Sequence, residues 1–304
     1  MSVVLPYLLS GISVGGQYAL IAIGYTMVYG ILRLINFAHG DVFMVAGVMM
    51  IYLSASLPLY IAIPLVLVLT AVIGFVIERV AYKPLRSAPR MSIMISAVGV
   101  SYLLQNLAAY ITGGLAQQYP TIPLISQSVT IGPATTKMVT LVTPFLVIAL
   151  VVALVLLLNH TKIGMAMRAV SRDYDTAQLM GIRINVVISV TFVIGSFLAA
   201  VGSVLYFTNY TAVTYTSGAM PGLKAFVAAV FGGIGSIPGA VIGAFIIGIC
   251  ENIVKGLESM LGVVGINLNL GLATFSDAVT FALLIIILVA KPTGLFGEKV
   301  TEKV

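Results

Sequence analysis

The sequence predicts an all-α polytopic membrane protein with about eight to nine transmembrane helices, some of them broken or short. Hydrophobic residues make up 60% of the 304 residues and charged residues only 8%, whereas about a quarter of residues are charged in an average soluble domain. The mean hydropathy is +1.15. Apolar stretches of roughly 20 residues, the length that crosses a bilayer, recur along the whole chain. We therefore expect one transmembrane domain over residues 1–304.

The apolar stretches predict eight spans, at residues 6–32, 40–57, 59–80, 91–112, 139–158, 187–206, 240–257 and 276–290. Residues 223–231 are too short to cross, and a glycine-rich stretch follows them at once. We expect a half-helix and a turn there, because irregular backbone at membrane depth is tolerated only inside protein or along a cavity.

The distribution of arginine predicts the orientation, because basic loops stay in the cytoplasm. Strict alternation of nine crossings puts every arginine on one side; these residues are Arg33, Arg79, Arg86, Arg90, Arg168, Arg172 and Arg183. The N-terminus is then outside, and the C-terminal tail with Lys299 and Lys303 is inside. If residues 223–239 do not cross, the count is eight and the tail moves outside.

Residues 161–184 form the longest polar and charged run of the chain. Helical spacing places Met167, Val170, Tyr174 and Ala177 on one side, while Arg168, Arg172 and Asp175 face elsewhere. Asp175 and Gln178 have the spacing of a capping box, and Gly181 is a typical helix stop. The run predicts one or two short amphipathic helices between two spans. They either simply join the spans or lie in a groove of a partner.

Polar residues also interrupt the membrane stretches. Asn36, His39 and Asp41 lie in apolar surroundings, so this segment is either a broken helix facing a substrate path or an ordinary cytoplasmic turn. Glu251 is an acid within a predicted span, which suggests a function. The alternative is an interfacial carboxylate paired with Lys255, four residues on.

Glycines at four-residue spacing predict close helix contacts at Gly11 and Gly15, and again at Gly235, Gly239 and Gly243. Residues 232–239, GGIGSIPG, look like a dinucleotide fingerprint. No strand precedes them, however, and Pro238 occupies a position that the pattern needs free.

Enzymatic and metal chemistry is not predicted. The sequence has no P-loop, no nucleophile elbow, one cysteine and two isolated histidines. We therefore expect no catalytic residues, no metal site and no cofactor, and we do not interpret the net charge of +6 as a nucleic-acid surface.

Four stretches together resemble a known family. Residues 30–41, GILRLINFAHGD, follow a glycine-rich span and look like the signature of the LivH-type permeases. Residues 164–170, 175–182 and 232–240 match the same family. These are membrane subunits of bacterial branched-chain amino acid ABC transporters. The resemblance covers most of the chain and depends on the combination of stretches.

The resemblance implies a fold like that of the ribose and vitamin B12 importer permeases, in the bacterial inner membrane. It also implies a homologous second permease subunit, two cytoplasmic ATPase subunits and a periplasmic protein that delivers Leu, Ile or Val. On this interpretation ATPase coupling falls to Arg168, Ala169, Arg172, Asp173, Tyr174, Asp175, Ala177, Leu179 and Gly181. The translocation path is expected near Asn36, Phe37, His39, Gly40, Asp41 and Glu251.

Alternatives remain open at this stage. Permeases for urea or short-chain amides are similar in sequence, since binding proteins set much of the specificity. A gradient-driven secondary amino acid transporter would need intramembrane acids or histidines in a relay. A channel or structural subunit would not need an amphipathic helix that is presented to a cytoplasmic partner.

Overall fold

The computed structural model describes residues 4–86, 88–131, 134–263, 271–291 and 293–297. Within these residues, eight helical segments are long and apolar enough to cross a membrane. The long helices are α1 (Val4–Leu32), α2 (His39–Ser56), α3 (Leu59–Ile77), α4 (Arg90–Thr112), α6 (Met138–His160), α9 (Ile184–Asn209), α11 (Ile237–Val263) and α12 (Ser276–Ala290). The predicted all-α membrane fold is confirmed.

Shorter elements connect the spans. Helix α3 is extended by a π-helical turn (Glu78–Tyr82) and a 3₁₀ turn (Lys83–Leu85). A second 3₁₀ turn (Leu272–Phe275) precedes α12. The remaining helices are α5 (Pro123–Ser126), α7 (Lys162–Arg172), α8 (Tyr174–Leu179) and α10 (Ala219–Gly232). Two small antiparallel pairs involve β1 (Gln117–Gln118) with β4 (Ala212–Val213), and β2 (Ser128–Ile131) with β3 (Ala134–Lys137). Both pairs lie outside the predicted spans.

Helix α10 has 14 residues, which corresponds to about 21 Å and is too short for a bilayer core of roughly 30 Å. Its first turn meets the first turn of α2, because the backbones of Gly218 and Gly222 lie against Gly40. Two helices therefore begin inside the bundle. The predicted half-helix is confirmed, with bounds a few residues wider than expected.

Helix α1 is the centre of the bundle. Most of its length is buried, and it packs along α11 without large side chains between the backbones. A Cβ atom built on Gly15 would lie 2.8 Å from Cα of Phe245, and one on Gly11 would lie 2.9 Å from Cα of Ile249. The predicted close contact at Gly11 and Gly15 is confirmed.

We expect Gly15→Ala to destabilise the protein, although alanine favours a helix over glycine. The added methyl group has no room against α11, and overpacking costs about 1–3 kcal/mol. Gly30→Ala in the same helix is the matched control, because no atom lies within 4 Å of its Cβ position. The midpoint of heat-induced loss of the monodisperse gel-filtration peak should fall for Gly15→Ala only. Equal midpoints for the two variants would contradict this packing account.

The contacts also show which helix ends lie at the same end of the bundle. The side chain of Arg33, just after α1, donates to the Ser171 carbonyl in α7 at 3.3 Å, so α1 ends beside α7 and α8. Helix α11 runs antiparallel to α1. Its start, the end of α10 and the described tail residues 293–297 therefore lie toward the α7–α8 end.

Backbone bonds hold this tail in place. The amides of Leu295 and Phe296 donate to the carbonyls of Phe231 and Gly232, each at 2.9 Å. The described tail and the start of α1 thus lie toward opposite ends of the bundle. Lys299 and Lys303, which the sequence analysis placed inside, lie outside the described residues.

Candidate functional site

The helices α7 and α8 are fixed to the bundle by one buried face. Met167, Val170 and Ala177 are each less than 5% exposed, while Tyr174, expected on the same side, is partly exposed. The turn that leads into α7 is tight, because a Cβ atom on Gly164 would collide with the backbone of Leu158. The prediction of one or two short amphipathic helices is therefore confirmed with two helices, α7 and α8, which pack against the bundle between α6 and α9.

The helix caps differ in part from expectation. Thr161 caps α7 by accepting from the Gly164 amide at 3.0 Å. Asp173, not Asp175, caps α8 by accepting from the Thr176 amide at 3.0 Å. The predicted capping box at Asp175 is wrong because the backbone is already helical there, whereas Asp173 is extended. Gly181 ends this segment with φ +82°, as expected of a helix stop.

The opposite face of this segment is exposed and mixes charge with large apolar side chains. Leu179 is 87% exposed and Met180 78%. We call this face the α7–α8 surface, and its exposed members are Arg168, Arg172, Asp175, Leu179 and Met180. Ala169 is half-buried at its edge. Large apolar side chains on a polar loop are typical of a protein contact.

The segment between α1 and α2 is a true break. Arg33 has φ +55°, a conformation that disfavours residues other than glycine. Asn36 is buried, and its Oδ1 accepts from the Ala38 amide at 3.2 Å and from the Tyr82 hydroxyl at 2.7 Å. Phe37 is 37% exposed. The break is thus tied to the π-helical turn after α3.

The first turn of α2 is packed inside the bundle. The His39 ring lies edge-on to Tyr25, with centroids 5.1 Å apart, in the space left by the missing side chain of Gly24. The buried Asp41 carboxylate accepts from the Ser101 hydroxyl at 2.6 Å and the Gln105 amide at 3.0 Å, both in α4. Its charge is therefore met by neutral donors.

Glu251 lies at the centre of a buried ionic cluster and is 1% exposed. It accepts from Lys224 at 2.8 Å, Lys255 at 2.6 Å and the Tyr18 hydroxyl at 3.0 Å. Lys224, 5% exposed, also pairs with Asp277 at 2.6 Å. We call these five residues the Lys224–Glu251 cluster. It joins α10 to α1, α11 and α12.

Pairing with Lys255 was the expected alternative for Glu251, and it is present, but the carboxylate is buried rather than interfacial. The sequence analysis missed Lys224, although a single cation at the start of a short apolar helix was the available signal. It also missed the pairing of Arg86 with Glu78 and Asn185, because Arg86 had been considered only for its loop position.

The three glycines after α10 have two different roles. Gly239 and Gly243 face the backbone of α10 closely, opposite Gly232 and Ala228. Gly235 lies in the turn with φ +101°, and nothing lies within 4 Å of its Cβ position. It supplies backbone conformation, not helix contact, so its expected packing role is wrong.

Comparisons with known proteins agree with this architecture. Residues 7–288 match the family described as branched-chain amino acid transport system / permease component. The chain is 38% identical to the high-affinity branched-chain amino acid transport system permease protein LivH of Escherichia coli, over 99% of this chain and 97% of that protein.

Two further relatives extend the match. The permease protein BraD of Pseudomonas aeruginosa is 38% identical over 99% of this chain and 98% of its own length. A probable branched-chain amino acid transport permease LivH of Methanocaldococcus jannaschii is 28% identical over 91% of this chain and 88% of its own. The chain belongs to the permease family of branched-chain amino acid transport systems.

Proposed function

We propose that this chain is the permease subunit that forms half of the translocation pathway for Leu, Ile and Val in an ABC importer. The whole chain acts as one permease domain. It couples the pathway to two cytoplasmic ATPase subunits, pairs with a homologous permease subunit and receives its cargo from a periplasmic binding protein. Family membership supports the transport role, and the names of the relatives support the substrate class.

The exposed α7–α8 surface is the observation that supports coupling most strongly. Its apolar tip, Leu179 and Met180, is exposed on a segment whose other face is buried. Because α7 and α8 are anchored between α6 and α9, a displacement of a docked partner moves those two spans. Such a lever links nucleotide state to membrane state through a coupling free energy.

The pathway is expected where two helices begin inside the bundle. Asn36, Phe37, His39, Gly40 and Asp41 lie at the start of α2, and the Lys224–Glu251 cluster lies beside the start of α10. The arginines lie toward the α7–α8 end, which supports a cytoplasmic position for that end. The N-terminus is then outside and the tail inside, in the inner membrane.

The test is purification of the tagged chain from its native membrane in mild detergent, followed by identification of co-purifying chains and uptake of labelled leucine into proteoliposomes. We expect two P-loop ATPases, a second multispan subunit and ATP-dependent uptake that needs the binding protein. Urea uptake in place of leucine uptake would identify urea as the substrate. Recovery of the chain alone, with gradient-driven uptake, would overturn the proposal.

A further inference from the structure

An open groove of about 670 Å³ lies beside the α7–α8 segment, between the end of α3 and the start of α9. Three basic residues, Arg79, Lys83 and Arg183, line its mouth. Within the described residues, none of these three forms an ion pair. Among the lining residues that the structure describes, none is acidic. The lining thus carries three cations, one of which, the Arg79 guanidinium, lies 5.7 Å from the centroid of the Phe75 ring.

The groove lining becomes more apolar along the helices, away from Arg79 and Arg183. Phe75 of α3 and Val186, Val190 and Val193 of α9 line this part. Val193 lies ten residues beyond Arg183, which corresponds to about 15 Å along the helix. Phe75 and Val186 are exposed, so the apolar wall opens to the exterior of the chain. The site thus has a charged head and an apolar slot.

We propose that this groove binds an anionic phospholipid, with its phosphate at Arg79, Lys83 and Arg183 and an acyl chain along Phe75, Val190 and Val193. Basic pockets between transmembrane helices near the cytoplasmic surface are suited to such headgroups. A soluble phosphate would use only the mouth. The length of the apolar slot and the exposure of its wall at Phe75 and Val186 favour a whole lipid.

The lipid would also contact α8. Tyr174 and Gln178 of α8 form part of the groove wall. A bound headgroup therefore lies between α8 and the π-helical turn after α3. Binding does not depend on the proposed transport function, so its test needs no uptake measurement.

The experiment is a thermal-unfolding titration of the chain, purified with whatever subunits stay bound in mild detergent. The ligands are dioleoylphosphatidylglycerol, dioleoylphosphatidylcholine and soluble glycerol 3-phosphate. Saturable stabilisation by the phosphatidylglycerol is expected, because a ligand that binds only the folded state raises its stability. The other two ligands should have little effect.

The charge-removal variant Arg79→Gln/Arg183→Gln should bind phosphatidylglycerol more weakly, by about fivefold for each basic residue and roughly 25-fold in total. The matched control is Arg90→Gln/Lys162→Gln, which removes two exposed charges at the same end but outside the groove. It should titrate like the wild type. If the double variant is recovered in poor yield, Lys83→Gln alone tests the same site.

Three outcomes would overturn the proposal. If the groove variant and the control bind phosphatidylglycerol equally weakly, the lipid is attracted only by general surface charge. An effect of glycerol 3-phosphate equal to that of the lipid would indicate an anion site without an acyl chain. Loss of the lipid effect when a second membrane subunit is bound would place a protein in the groove.

Discussion

Leu179→Asp is expected to reduce ATP-driven uptake strongly while leaving the chain folded and inserted. Leu179 is 87% exposed, so a carboxylate there costs the isolated chain little. In a docked complex the leucine would be buried, which contributes about 1.5–3 kcal/mol. An unpaired charge in the same place would add a further penalty. Association with the ATPase subunits should therefore weaken at least about tenfold.

The measurement is co-purification of the ATPases together with uptake of labelled leucine. Leu124→Asp is the control, because Leu124 is similarly exposed, at 80%, but lies in α5 of the loop after α4. It should retain the ATPases. Retention of the ATPases by Leu179→Asp as well would remove the α7–α8 surface from the docking interface.

Ala177→Pro tests the same lever by a different route. The Ala177 amide donates to the Asp173 carbonyl at 3.1 Å, and its side chain is buried. Proline removes the donor and disrupts a helix interior by about 3 kcal/mol. We expect ATPases to bind without driving uptake if only the rigid connection is lost. Normal uptake by this variant would exclude a rigid α8 from the mechanism.

The membrane spans could be predicted from the sequence because hydrophobic length is a local property. Helix α12 begins and ends where expected, between Ser276 and Ala290, since the polar Ser276 and Asp277 open it and Lys291 follows it. The amphipathic loop was also predictable, because Met167 and Val170 have the spacing that places them on one face of a helix. Short β pairs in a polar loop give no comparable signal.

The partners of the buried polar residues could not be predicted. Asp41 meets Ser101 and Gln105 across 60 and 64 residues of sequence, and nothing near Asp41 specifies them. The prediction of the residue that caps α8 failed for a related reason. Both Asp173 and Asp175 are capping residues by type, and only the extended backbone at Asp173 decides between them.

Lys224→Met is expected to destabilise the folded protein strongly. Lys224 is shared by Glu251 and Asp277, and removal of one partner from a buried ion pair costs about 3–5 kcal/mol. Glu251→Met should be similarly harmful, since it leaves Lys224 buried with one carboxylate. Each single variant should lower the midpoint of thermal loss of the gel-filtration peak.

The double variant Lys224→Met/Glu251→Met is expected to recover part of that stability. It leaves Lys255 and Asp277, whose side chains are 33% and 39% exposed and are therefore accessible to solvent or headgroups. Buried ion pairs replaced together by apolar residues are often neutral or stabilising. Recovery would show that each single variant loses stability because it leaves a buried charge without its partner.

Uptake by the same variants distinguishes a structural role of Glu251 from a role in a proton relay. If Glu251 has only a structural role, the double variant should transport leucine better than either single variant, because α10 packs normally again once no unpaired charge is buried. A relay carboxylate behaves differently, since its removal stops transport however well the helix packs. A stable, well-folded double variant without any uptake, together with Glu251→Gln that folds normally but is inactive, would therefore place Glu251 in the transport reaction itself.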